Sequence, residues 1–181
     1  GGRPLNGEVI PSGNKNAALP LLAACLLTEE PVILHNVPEI QDVLSMRKLI
    51  TSLGVEITTI GDHTWRVHAK EVRTHDLNPD ECRRIRASIL LAGPMTARTG
   101  ELHLPPPGGD VIGRRRVDTH ILALEALGAE IEYDRVERVF HFSAQGGLHG
   151  NDILLDEASV TATENAIMAA ATAQGTTILR N

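Results

Sequence analysis

Apolar residues recur at Val43, Met46, Ile50 and Leu53 in the stretch "DVLSMRKLITSLG". Steps of three and four put them on one face of a helix, and the closing glycine suits a left-handed cap. Before it, "NKNAALPLLAACLL" reads as a helix of small apolar residues, and "PVILHNV" between the two reads as a strand. Two further short strands follow in "VEITTI" and "TWRVHA". The order is helix, strand, helix, strand, strand.

The same plan returns in "IRASILLAGPMTAR", "GELHL", "RVDTHILALEALG", "AEIEYD" and "RVFHFSA". "LGVEI" at 53–57 answers "LGAEI" at 127–131, each a helix stopped by glycine and followed at once by a strand. A third copy opens with "ASVTATENAIMAAATAQ" and "GTTILRN". Short connections and glycine-to-strand transitions predict α/β layers (an α+β arrangement of repeated units) rather than a helical array. Units of this size bury their apolar faces only against one another. The expected organisation is one partial domain over 1–181: a leading segment 1–14, a first repeat 15–84, a second 85–156 and an incomplete third 157–181.

Composition narrows the picture. Lys+Arg number 17 against 23 Asp+Glu, a net charge of -6, which speaks against a general nucleic-acid or membrane-surface binder. Aromatics are 2% of the chain, so bases would find almost no stacking platforms, and the core must come from Ala, Leu, Ile and Val. No apolar run reaches the roughly 20 residues of a membrane span, and a cytoplasmic location is expected. Cys25 and Cys82 show no metal-ligand spacing, so reduced, structural cysteines and no metal are expected. The eight histidines are scattered and read as surface or cap residues.

One loop stands apart. "PPPGGDVIGRRRV" sets Asp110 behind two glycines and ahead of Arg114, Arg115 and Arg116. It is either an anion site with a reactive carboxyl beside it or a solvated turn. Lys15 and Asn16 at the start of the first helix pose the same choice: a helix start favours anions, yet a capping Asn beside a surface Lys has the same spacing.

Taken together, "GEVIPSGNKNAALPLL", "RIRASILLAGPMTA", "PGGDVIGRRRVDTHI", "LGAEI" and "ASVTATENAIMAAA" resemble the UDP-N-acetylglucosamine 1-carboxyvinyltransferases, enolpyruvyl transferases of peptidoglycan synthesis. The resemblance runs along nearly the whole chain in order. It implies a domain of βαβαββ-type units with inward helices, an inside-out barrel whose third unit is cut short here. It also implies a second domain, absent from this chain, with the active site between the two. An isolated piece would then be catalytically incomplete and able to self-associate through the face meant for its partner.

The resemblance further implies transfer of the enolpyruvyl group of phosphoenolpyruvate to the sugar 3'-hydroxyl, with no cofactor. It carries Lys15, Asn16 and Arg115 to phosphoenolpyruvate, with Lys15 also catalytic. It carries Arg86, Arg115, Arg116, Val117, Asp118, Thr119, Ser159 and Val160 to the nucleotide sugar, although Ser159 reads equally well as an N-cap. Asp110 takes the place of the proton donor, a cysteine in many relatives. A free Asp titrates near 3.9 and neighbouring arginines lower that, so the role requires a closed, dry site. Arg116 stands where many relatives have Pro, Glu157 where some have Lys, and Thr161 where a Gly is usual. The shikimate-phosphate enolpyruvyl transferase and a non-catalytic nucleotide-sugar binder are the rival readings.

Overall fold

The computed structural model describes residues 2–108 and 117–181. Helix α1 (Lys15–Ala24) runs into a short 3-10 turn at Cys25–Leu27, then strand β1 (Val32–Leu34), helix α2 (Gln41–Ser52) and the hairpin β2 (Glu56–Gly61) and β3 (Thr64–His68). Val43, Met46, Ile50 and Leu53 are all fully buried, as their spacing requires. Gly54 closes α2 with φ 98°, where a side chain would be strained. The hairpin and β1 form an antiparallel sheet in the order β1-β3-β2, with Trp65 and Val67 of the central strand buried.

The second copy is built alike. A short helix α3 (Pro79–Arg84) and a 3-10 helix Arg86–Leu91 lead into α4 (Ala92–Thr99) and β4 (Glu101–Leu104). Helix α5 (Asp118–Ala126) and strands β5 (Glu130–Asp134) and β6 (Val139–Ser143) complete it. The sheet order β4-β6-β5 repeats the first, again antiparallel, and Gly128 repeats Gly54 with φ 97°. A third group follows: strand β7 (Asp152–Leu154), helix α6 (Val160–Ala170) and strand β8 (Ile178–Arg180), its strands parallel.

Two details depart from the pattern-based reading. Residues 86–99 do not form one helix, because Pro94 has no N–H to give Leu90 and its ring would press on that carbonyl. The chain tightens to a 3-10 helix and restarts as α4 with Pro94 in its first turn. Strand β7, only three residues of "DIL", was not expected, and its sole strand partner among the described residues is β8.

The helices gather inside and the sheets lie outside. Helix α6 packs on α1, α4 and α5, while the outer strands β2 and β5 stay largely exposed. Residues 2–13 form no helix or strand, and Leu5, Val9 and Ile10 are exposed there. Among the described residues no helix is long and apolar enough to cross a membrane.

Candidate functional site

The inward arrangement brings the openings of three helical segments to one place. Lys15 opens α1, Arg86 opens the 3-10 helix of the second copy, and Val160 opens α6 behind Ser159. All four line a single cavity of about 740 Å³ together with Asn16, which gives equivalent positions of the repeats one shared destination.

Local chemistry explains each placement. Asn14, not Asn16, caps α1: its side chain accepts from the Asn16 and Ala17 N–H groups at 2.8 and 3.2 Å. That leaves the Asn16 side chain at the cavity wall. Ser159 caps α6 by accepting from Ala162 N–H at 3.3 Å, so the capping role and the cavity position hold together. Lys15 donates to Asp42 at 2.8 Å, and both charges lie partly in solvent. Arg84 is a wall residue, as is Glu157.

The charges are balanced. Lys15, Arg84 and Arg86 face Asp42, Glu157 and Glu164, and burial pushes the Glu164 carboxyl above its ordinary pKa. An anion entering here competes with Asp42 for Lys15.

His120 of α5 corrects the reading of the histidines as surface or cap residues. It is buried in the cavity wall, and burial, reinforced by the positive Arg86, lowers its pKa to about 4. The ring sits 3.1 Å from the buried Asn165 amide on one side and 3.2 Å from Thr161 Oγ1 on the other. No sequence pattern marks these three, since they are joined only by tertiary packing of α5 on α6.

Among the other sequence-predicted residues, Val117 and Asp118 are half-buried at the start of α5 and Thr119 is buried. Asp110, Arg115 and Arg116 lie outside the described residues. Gly108, just before them, donates to Cys82 O at 2.9 Å, and a Cβ there would lie 1.7 Å from Arg83 O, so only glycine fits against α3. Arg84 on α3 and His120 on α5 reach the cavity.

Both cysteines are buried and unpaired. Asp134, Glu137 and His141 come close enough to share a cation, but Asp134 Oδ1 already accepts from the Val136 and Glu137 N–H groups of its turn.

Comparison with known proteins identifies the family and the fold. A family model described as EPSP synthase (3-phosphoshikimate 1-carboxyvinyltransferase) matches residues 1–181. The UDP-N-acetylglucosamine 1-carboxyvinyltransferase of Bradyrhizobium diazoefficiens is 58% identical over 182 residues, covering 100% of this chain and 41% of that protein. The enzyme of the same name from Treponema denticola is 56% identical over 181 residues, covering 100% of this chain and 42% of its own length. The chain thus spans about two fifths of the curated relatives it matches. Among solved structures, the enolpyruvyl transferase NikO from Streptomyces tendae superposes with a TM-score of 0.79 at 24% identity, over 99% of this chain and 41% of that one. An EPSP synthase from Acinetobacter baumannii gives 0.73 at 17% identity, over 96% of this chain and 40% of that one. These two likenesses establish an α/β enolpyruvyl-transferase fold.

Proposed function

Given that the chain belongs to the EPSP synthase (3-phosphoshikimate 1-carboxyvinyltransferase) family over residues 1–181, we propose that it forms part of an enzyme moving the enolpyruvyl group of phosphoenolpyruvate to the 3'-hydroxyl of UDP-N-acetylglucosamine. The observation that carries this is the convergence of Lys15, Asn16, Arg86, Ser159 and Val160, from three helix openings, on one cavity. Identity of 58% to a relative named for this reaction, against 17% to a solved EPSP synthase, favours the nucleotide sugar over shikimate phosphate.

The reaction sets the tasks. The sugar hydroxyl gives its proton to a base as its oxygen bonds to C2 of phosphoenolpyruvate and a proton is added to the C3 methylene; loss of a C3 proton, with the C2–O bond to phosphate breaking and phosphate leaving, then restores the double bond. In this reading Lys15, Asn16 and Arg115 hold phosphoenolpyruvate, and Arg86, Arg115, Arg116, Val117, Asp118, Thr119, Ser159 and Val160 hold the nucleotide sugar. Arg86 offers a planar fork suited to an anionic oxygen pair. Asp110 supplies the C3 proton, which requires burial beside the anionic substrates to hold its carboxyl protonated near neutral pH.

The rest of the enzyme supplies the second domain, and segment 1–14 links to it ahead of repeats at 15–84, 85–156 and 157–181. Exposed Leu5, Val9 and Ile10 support that contact, and without it they favour self-association of the chain. Peptidoglycan synthesis, with its place in cell shape and division, and a cytoplasmic location follow from the same reading.

Calorimetric titration tests it. The chain is expected to bind UDP-N-acetylglucosamine, with at least about tenfold loss in Arg86→Ala, and to release phosphate from phosphoenolpyruvate only within the longer protein. Tighter binding of shikimate 3-phosphate than of the nucleotide sugar would overturn the assignment.

A further inference from the structure

Asn165 is fully buried in α6, and its surroundings fix which way its amide is turned. The Gly93 N–H, which can only donate, lies 2.7 Å from Oδ1. The Ile89 carbonyl, which can only accept, lies 2.8 Å from Nδ2. The second Nδ2 hydrogen is then left for His120 Nδ1 at 3.1 Å. Nδ1 therefore accepts, and the imidazole proton sits on Nε2.

That tautomer decides what Thr161 does. His120 Nε2–H points at Thr161 Oγ1 across 3.2 Å, so the hydroxyl accepts from the ring and its own proton turns elsewhere. Among the described residues His120 is the one hydrogen-bond partner of this hydroxyl. Thr161 is exposed on the cavity wall as the second residue of α6, two residues after Ser159, and Arg86 lines the same cavity. Protonating His120 would set a second N–H against the Asn165 amide, so the ring is held neutral by geometry as well as by burial.

We propose that Thr161 is a substrate-positioning residue: the Asn165–His120 pair aims its hydroxyl proton into the cavity, where it donates to an acceptor oxygen of the bound nucleotide sugar. The inference rests on the functional reading above and adds to it a donor and the two residues that orient it. A valine at 161 keeps the shape and removes the donor, whereas a serine keeps the donor.

Two measurements on the chain test it. Long-range proton–nitrogen correlation spectra read the His120 tautomer, and calorimetry reads UDP-N-acetylglucosamine binding. Expected are an Nε2–H ring at neutral pH in both wild type and Thr161→Val, about tenfold weaker binding in Thr161→Val, and binding within about twofold of wild type in Thr161→Ser. Equal binding by wild type and Thr161→Val, or a proton on Nδ1, overturns the donor role while leaving the functional reading in place. A wild-type chain that binds no nucleotide sugar overturns the functional reading and the donor role with it, and the tautomer then shows whether the aim of the hydroxyl itself was misread.

Discussion

The backbone N–H of Gly93 donates to the side-chain oxygen of Asn165 at 2.7 Å, tying the start of α4 to the middle of α6 across 72 residues of sequence. Both residues are buried, and a Cβ on Gly93 would lie 2.5 Å from Asn165 O, a backbone atom, and from Oδ1, the end of a buried amide held by its hydrogen bonds. The close approach of the two helical segments depends on the missing side chain and on the amide that fills the gap.

Gly93→Ala is therefore expected to destabilise the fold by about 2–3 kcal/mol through overpacking. Asn165→Leu is expected to cost a similar amount, because it strands the buried Gly93 N–H at about 1–3 kcal/mol and leaves the Ile89 carbonyl with the Ala92 N–H alone, before apolar gain offsets part of it. Urea unfolding followed by Trp65, the single tryptophan and fully buried, measures both. Either variant within about 0.5 kcal/mol of wild type, the scatter of ordinary surface changes, would show that the tie is dispensable.

His120 makes stability depend on pH. Its pKa is lowered from 6.5 to about 4 in the folded chain, so the unfolded state binds the proton more readily. Its contribution is fully present above the unfolded value and is lost as pH falls from 6.5 towards 4, by about 3 kcal/mol in all. His120→Gln removes this titration, so the stability difference between wild type and variant should shrink towards acid over that window. Parallel curves for the two proteins would contradict the buried, neutral ring.

Much of this was legible in the sequence, and the remainder fails for identifiable reasons. The buried face of α2 and the glycine stops at Gly54 and Gly128 follow from spacing and from backbone freedom, both local properties. Lys15, Arg86 and Ser159 could be picked out only through the family resemblance, and each stands at or beside the opening of a helical segment. Strand β7 could not, since three residues carry no periodicity and its pairing is with a strand beyond an intervening helix. His120, Asn165 and Thr161 were invisible as a group because 45 and 41 residues separate the ring from its two partners. Asp42 reaches Lys15 from the next helix, 27 residues on, for the same reason.

The Lys15–Asp42 pair sets up a competition. Asp42 holds the Lys15 ammonium at 2.8 Å, and a phosphate-bearing ligand using Lys15 must displace that carboxylate. Exposed pairs of this kind are worth about 0.2–1 kcal/mol, which bounds the effect. Asp42→Asn is expected to tighten phosphoenolpyruvate binding by up to about fivefold, and Lys15→Ala to weaken it. Titrations of both variants decide the matter; weaker binding in Asp42→Asn would mean that the carboxylate orients the lysine rather than competing for it.

The chain is expected to resist covalent inhibition by epoxides. Epoxides of the fosfomycin type alkylate a thiolate, and the chain has only two cysteines. Burial pushes the Cys25 thiol up to about 11 and the Cys82 thiol up to about 12, so near neutral pH only about one molecule in ten thousand or fewer carries a thiolate at either position. Neither is exposed to a reagent. The loop offers Asp110 instead, and a carboxylate is a poor nucleophile towards an epoxide. The intact mass is therefore expected to stay unchanged on incubation with fosfomycin and UDP-N-acetylglucosamine, while Asp110→Cys gains a single adduct at that position. A stoichiometric adduct on Asp110 in the wild type would refute the argument from nucleophilicity, and one on Cys25 or Cys82 would refute the burial that protects them.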